Sequence, residues 1–125
     1  MLSRRSLALA SRAAIKRSPL GARSVHVEAS VPSVQAAIKN EPVLVFSKTH
    51  CPHCARVKAL FADLKVDFEL VELDLRPDGV DIQAILLDLT KQRTVPNVFI
   101  KGQHIGGCDS TFALHDADKL VPLLK

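Results

Sequence analysis

One stretch of the chain decides the fold: Val43-Leu44-Val45-Phe46-Ser47-Lys48-Thr49-His50-Cys51-Pro52-His53-Cys54. Its first four residues form a continuous apolar run, which is typical of a strand that is buried on both faces of a sheet. Beyond Cys51 the pattern changes to a helical period, with apolar residues at Val57, Leu60, Phe61 and Leu64. The sequence therefore predicts a buried strand, a short turn and then a helix from about Pro52 to Lys65, whose first turn tolerates a proline.

Patterns farther from this stretch predict the other elements of one small domain. Further strands are expected at Phe68–Leu73 and Asn97–Lys101, and a tight hairpin should lead to a fourth strand near Ile105. Short helices are expected over Pro32–Asn40, around the period Ile82, Ile85, Leu86 and Leu89, and after Gly106-Gly107, where Asp109 or Ser110 can cap a helix.

The order of these elements predicts the topology. A strand–helix–strand unit with a right-handed crossover gives a parallel pair, and the later hairpin adds an antiparallel pair. The expected fold class is therefore α/β, with a four-stranded mixed sheet that is flanked by helices on both faces.

The basic residues are concentrated at the start of the chain. Residues 1–27 contain six Lys or Arg residues and no Asp or Glu. Removing these six from the 17 basic residues leaves 11 against 13 acidic ones, so residues 28–125 carry a formal charge of about −2. A nucleic-acid-binding function based on the overall positive charge is therefore not expected. No apolar run reaches the roughly 18 residues that a membrane-spanning helix needs, so no membrane segment is expected either.

The composition of the first 27 residues indicates a targeting segment. It is rich in Arg, Ser, Ala and Leu, lacks acids, and would be amphipathic if helical, as mitochondrial transit peptides are. We predict that residues 1–27 are a transit peptide, cleaved between Arg23 and Ser30, and that residues 28–125 are the mature domain. A basic tail that stays attached is the alternative. The expected location is the mitochondrial matrix, with the intermembrane space left open.

Cys51 and Cys54 form a C-x-x-C pair at the predicted start of a helix. A helix N-terminus stabilises a thiolate through its partial positive charge and free N–H groups, and Lys48 and His53 can add positive charge. Cys54 lies one turn along the helix on the same side, so Cys51 is expected to be the exposed attacking thiol and Cys54 the more buried resolving thiol.

A C-x-x-C pair can also belong to a structural zinc site or to a structural disulfide. A structural zinc site needs four ligands, and completing one here would require Cys108 together with His50, His53 or His104. A structural disulfide is disfavoured because the expected compartment is reducing. Thiol–disulfide exchange is the favoured chemistry, and no metal is expected.

Three blocks of the chain resemble the dithiol glutaredoxins: Ser47 to Cys54, then Gln92-Arg93-Thr94-Val95-Pro96-Asn97-Val98-Phe99-Ile100, then Gly106-Gly107-Cys108-Asp109-Ser110. They occur in the order of that family, and the resemblance covers residues 32–125. It implies a thioredoxin-like fold and an enzyme that uses glutathione as co-substrate to reduce protein–glutathione mixed disulfides and protein disulfides. It also implies a monomer whose partners are glutathione and such oxidised proteins.

The resemblance implies specific contacts with glutathione. Lys48 and Gln92 would meet a carboxylate of glutathione, and Val95, before a cis Pro96, would pair its backbone with the glutathione cysteine. The γ-glutamyl end would lie at the start of a helix, with the Asp109 carboxylate against its ammonium group. The complete expected set is Lys48, His53, Gln92, Thr94, Val95, Pro96, Cys108, Asp109 and Ser110. Taken singly, a solvated Lys48, a helix-capping Asp109 and a surface Gln92 are the plainer interpretations.

The chain departs from the family pattern at His53, where the family usually has Tyr. His53 either replaces the Tyr contact with glutathione or stabilises the Cys51 thiolate and makes the disulfide more oxidising. A [2Fe–2S] cluster carrier using Cys51 and glutathione is an alternative function, which Pro52 and Cys54 disfavour. Thioredoxin itself is disfavoured because the chain has no Trp. For Cys108, a spare thiol acting through its backbone is favoured over a regulatory oxidation site.

Overall fold

The computed structural model describes residues 22–24, as backbone only, and residues 27–124. Most of the predicted transit peptide, residues 1–21, lies outside the described residues. The described strands are β1 (Ala22–Ser24), β2 (Val43–Ser47), β3 (Phe68–Glu72), β4 (Asn97–Ile100) and β5 (Gln103–Gly106). The described helices are α1 (Val31–Asn40), α2 (Pro52–Asp63), α3 (Gly79–Thr90), α4 (Cys108–Asp116) and α5 (Leu120–Leu124), with a 3-10 turn at Leu73–Leu75.

The strands form one mixed sheet in the order β1-β3-β2-β4-β5. Strands β2 and β3 are parallel across the α2 crossover, whereas β4 is antiparallel to both β2 and β5. The predicted four-stranded mixed sheet is confirmed in β2 to β5. The structure adds β1, which pairs in parallel with β3 and covers an edge that would otherwise leave backbone groups unpaired.

The packing around β1 bears on where the folded domain begins. Val27 is 1% exposed and belongs to the apolar core. Its carbonyl oxygen accepts a hydrogen bond from the guanidinium of Arg76, which also forms an ion pair with Asp78. Both β1 and Val27 therefore pack with the domain, although they lie within the segment predicted to be removed.

The sheet separates two apolar cores, and β2 contributes to both. Val43 and Val45 face the core beneath α2, α4 and α5, whereas Leu44 and Phe46 face the core beneath α1 and α3. All five residues of β2 are buried, as expected of a central strand that is covered on both faces. This strand carries the chain directly into Cys51, so the site is built on the most buried element of the sheet.

The 3-10 turn lies close to the start of α3 because residue 79 is a glycine. A Cβ atom at Gly79 would lie 1.8 Å from the carbonyl oxygen of Leu73, so no other residue fits without a backbone shift. Asp74 of the 3-10 turn lies beside the loop that leads to Cys51, where it accepts a hydrogen bond from the backbone N–H of Thr49. Within the described residues, no helix is both long and apolar enough to cross a membrane.

Candidate active site

Cys51 is the N-cap residue of α2, directly after the loop that leaves β2. Its Sγ accepts a hydrogen bond from the backbone N–H of Cys54 at 3.3 Å. The same sulfur lies 3.7 Å from the carbonyl oxygen of Val95, to which its S–H donates. The predicted placement of Cys51 at a helix N-terminus, partly exposed and in contact with backbone N–H, is therefore observed.

Cys54 has a different environment from Cys51, although both thiols are free. Its side chain is fully buried, and this burial is the main cause that raises the pKa of Cys54 to about 12. The hydrogen bond and charge of Cys51 raise the pKa further, whereas a backbone hydrogen bond at Lys48 and the charge of Lys58 lower it. Cys54 thus keeps its proton at neutral pH, and Cys51 is the sulfur of this pair that is placed to attack.

A surface cleft of about 370 Å³ lies beside Cys51. It contains eight of the nine residues that the resemblance assigned to glutathione, together with Gly107, which was not predicted. The lining residues are His53, Gln92, Thr94, Val95, Pro96, Gly107, Cys108, Asp109 and Ser110. Lys48 is half-buried and is not among them. The three sequence blocks, far apart in the chain, therefore meet at one cleft.

One end of the cleft is the N-terminus of α4. The helix begins at Cys108 with Gly107 as its N-cap, and no side chain caps it. The prediction that Asp109 or Ser110 caps this helix is wrong, because both lie within its first turn and are exposed to solvent. The first-turn N–H groups of a helix have no intrahelical partner, so they form a site for a carboxylate at this end of the cleft.

The other wall of the cleft is the Thr94–Pro96 loop, which contains the expected cis bond between Val95 and Pro96. Gln92 holds this loop in place: its Nε2 donates to the carbonyl oxygens of Thr94 at 3.0 Å and of Pro96 at 2.9 Å. Both amide hydrogens of Gln92 are therefore engaged within the protein. In this arrangement Gln92 shapes the cleft wall and has no hydrogen left to donate to a carboxylate.

Asp74 fixes the loop before Cys51, and sequence patterns gave no sign of this role. Its carboxylate accepts hydrogen bonds from the backbone N–H of Thr49 at 3.1 Å and from the Thr49 hydroxyl, and it lies 3.3 Å from Nδ1 of His50. The Thr49 hydroxyl is the main cause that lowers the pKa of Asp74 to about 2. No local pattern could have revealed this contact, because Asp74 lies 24 residues from His50 in the chain.

Cys108 is buried at the start of α4. Burial is the main cause that raises the pKa of its thiol, with smaller increases from Asp109 and Cys51, while the guanidinium of Arg56 acts in the opposite direction. The side chain is thus held as a neutral thiol. Among the described residues, no group of three or more His, Cys, Asp or Glu side chains is arranged to hold a metal ion.

Comparison with known proteins identifies the family to which this chain belongs. The family model described as Glutaredoxin matches residues 43–105. The chain belongs to the glutaredoxin family. As a glutaredoxin it is a glutathione-dependent thiol–disulfide oxidoreductase, with glutathione as co-substrate.

Plant glutaredoxins are among the relatives of this glutaredoxin. It is 59% identical over 87 residues to the chloroplastic glutaredoxin-C4 of Oryza sativa subsp. japonica, a match that covers 70% of this chain and 65% of the rice protein. It is also 59% identical over 87 residues to glutaredoxin-C2 of Arabidopsis thaliana, covering 70% of this chain and 78% of that protein.

A solved structure of a buckwheat glutaredoxin–glutathione complex shares 52% identity with this glutaredoxin. The TM-score is 0.73, over 75% of this chain and 86% of that one. The thioredoxin-like fold predicted from the sequence is thereby confirmed.

Proposed function

We propose that this glutaredoxin reduces protein–glutathione mixed disulfides through Cys51, and that Cys54 resolves protein disulfides. The observation that carries the proposal is the position of Cys51 Sγ, 3.7 Å from the Val95 carbonyl at the wall of the cleft. A thiol at this point can exchange with the cysteine of a tripeptide that pairs with the Val95 backbone.

In the first step the Cys51 thiolate attacks the glutathione sulfur of a mixed disulfide. A bond forms between Cys51 and that sulfur, the original S–S bond breaks, and the released protein thiolate takes a proton from solvent. A second glutathione thiolate then attacks the glutathione sulfur bound to Cys51. This releases glutathione disulfide and returns Cys51 as a thiolate.

The charges around the cleft favour one orientation of glutathione. The γ-glutamyl carboxylate fits the free N–H groups at the start of α4, and its ammonium group fits the Asp109 carboxylate in the first turn of that helix. Thr94, Val95 and Pro96 would line the middle of the tripeptide, and exposed His53 would lie beside the sulfur. Lys48 would reach the glycine carboxylate only from outside the cleft lining.

The test is glutathione-coupled reduction of a small glutathione mixed disulfide, with Cys51→Ser and Cys54→Ser as a matched pair of variants. Cys51→Ser should abolish turnover, because within the described part of the chain no other thiol lies at the Val95 carbonyl. Cys54→Ser should retain it, while reduction of a protein disulfide is lost. If Cys51→Ser retained turnover, the proposed nucleophile would be wrong.

We also propose that the protein is a monomer in the mitochondrial matrix that acts on glutathionylated or disulfide-bonded proteins. The composition of residues 1–27 supports this location, because the segment is rich in Arg and Ser and contains no acidic residue. A fluorescent reporter fused to these 27 residues should enter mitochondria. Because the similar rice protein is described as chloroplastic, import should be followed in plant cells, where accumulation in plastids would contradict the proposal.

A further inference from the structure

A largely buried group of charged and polar residues lies between α2 and the ends of β2 and β3. Lys58, 8% exposed, forms an ion pair with Glu72, with Nζ 2.5 Å from Oε2. The other carboxylate oxygen of Glu72 accepts a hydrogen bond from the hydroxyl of fully buried Ser47. Ser47 and Glu72 are paired in register at the ends of β2 and β3, so the two strands hold the carboxylate in one position.

Lys58 brings this group close to Cys54, because both residues lie on α2. Lys58 follows Cys54 by four residues in α2, the spacing at which side chains lie one above the other on the same face. Both side chains are buried. Among the described residues, the charges of Cys51 and Lys58 act on the pKa of Cys54, and the cationic charge is that of Lys58.

Stability alone does not explain a buried ion pair here. Removing two charges from water costs free energy that their attraction often fails to recover, and apolar residues of similar volume frequently serve equally well. The pair is also placed beside a thiol that must become a thiolate within an apolar environment. We propose that Lys58, held in place by Glu72 and Ser47, is a positioning residue that sets the reactivity of Cys54 in the resolving step.

The inference rests on the resolving role proposed for Cys54 and concerns one reaction. The Cys54 sulfur attacks Cys51 in a mixed disulfide; a Cys54–Cys51 bond forms, the bond from Cys51 to the substrate sulfur breaks, and the substrate leaves as a thiolate. The proton lost by Cys54 is taken up by that thiolate, so the substrate sulfur is reduced and the protein pair is oxidised. The Lys58 ammonium stabilises the Cys54 thiolate during the attack, and the Glu72 carboxylate limits that effect.

The two partners of the ion pair should therefore act in opposite directions. Lys58→Met removes the positive charge that stabilises the Cys54 thiolate and should slow the attack, whereas Glu72→Gln leaves that positive charge without its partner and should accelerate the attack. If each change moves the pKa of Cys54 by about one unit, the thiolate fraction changes tenfold. The opposing change in nucleophilicity reduces the net effect on the rate to about threefold. A purely structural role would give two variants that are both less stable and whose rates change in the same direction.

The experiment uses the reagent 5,5′-dithiobis(2-nitrobenzoate) at one equivalent, in a Cys108→Ser background that leaves only the active-site pair. The first chromophore is released by Cys51 and the second by Cys54, so stopped flow gives a ratio of second to first rate for each variant at pH 7. The expected ratio falls about threefold in Lys58→Met and rises about threefold in Glu72→Gln. Lys39→Met, an exposed lysine on α1, is the control and should leave the ratio unchanged.

Breaking a buried pair destabilises the protein, so the double variant Lys58→Met/Glu72→Gln is included. Its ratio should lie between those of the two single variants. Single-variant ratios that move together, or that do not move, would overturn the inference, as would a double-variant ratio outside the range of the single variants. Release of the second chromophore by Cys54→Ser would instead overturn the proposed resolving role of Cys54, so the two failures are distinguishable.

Discussion

Replacing Gln92 by Leu removes both hydrogen bonds that hold the Thr94–Pro96 loop while keeping a side chain of similar size. Thr94 is exposed, so water can replace the bond to its carbonyl, and that loss costs about 0.5–1 kcal/mol. Pro96 is buried, so its carbonyl is left unpaired, which costs about 1–3 kcal/mol. The free energy of unfolding should therefore fall by about 1.5–4 kcal/mol.

The same change should weaken substrate binding, because the loop presents the Val95 backbone to the cleft. If about 1.4 kcal/mol of the loss arises from displacement of this loop, KM for a small glutathione mixed disulfide rises about tenfold. The value of kcat should change much less, since Cys51 is held by α2 and by its hydrogen bond from Cys54.

Urea unfolding and steady-state kinetics on the same preparations measure both effects. Gln83→Leu is the matched control: its Nε2 donates only to the exposed carbonyl of Arg93, at 2.9 Å, so its stability should fall by less than about 1 kcal/mol. KM of the control should stay at the wild-type value. An unchanged KM in Gln92→Leu, despite the loss of stability, would refute the argument that Gln92 shapes the cleft.

Two further predictions concern the residue at which the folded domain begins and the loss of stability at low pH. A protein that starts at residue 28 lacks the buried Val27 side chain and the hydrogen bond that the Val27 carbonyl accepts from Arg76. Its free energy of unfolding in urea should be about 3 kcal/mol lower than that of a protein starting at residue 22. Equal urea midpoints for the two proteins would contradict this prediction. Asp74 has a folded-state pKa of about 2, below its ordinary 3.8, so the stability it contributes is present above about pH 4 and is lost as the pH falls toward 2. Asp74→Asn should therefore flatten the pH dependence of stability in that window, whereas an unchanged slope would show that the Thr49 contacts do not stabilise the fold.

The central part of the fold could be predicted from the sequence because its signals are local. The apolar run of β2 and the helical period of α2 predict both elements, although α2 ends at Asp63 rather than Lys65. Strand β1 was not predicted, because three residues of Ala, Arg and Ser have no strand pattern and pair only where β3 offers an edge. The boundary of α4 was misplaced because polar residues suited to capping also suit a first helical turn.

The sequence predicts most residues that line the cleft but not the contacts that support them, and this difference has a physical cause. The C-x-x-C spacing and the three family blocks located eight cleft residues. The supporting contacts join residues that are distant in the chain, such as Lys58 with Glu72 and Thr49 with Asp74. Such pairs are defined by how a helix, a loop and a strand end pack together in space, which one sequence does not reveal. The internal hydrogen bonds of Gln92 also required coordinates, because its residue type alone fits a ligand contact equally well.

The most direct test of the account is to identify the sulfur that receives glutathione. The Cys54→Ser variant, which cannot resolve the adduct through its second thiol, is treated with glutathione disulfide, digested and mapped by mass spectrometry. We expect one glutathionyl group on Cys51 and none on Cys108, whose thiol is buried and neutral. Modification of Cys108 with Cys51 left free would contradict the assignment of Cys51 as the nucleophile.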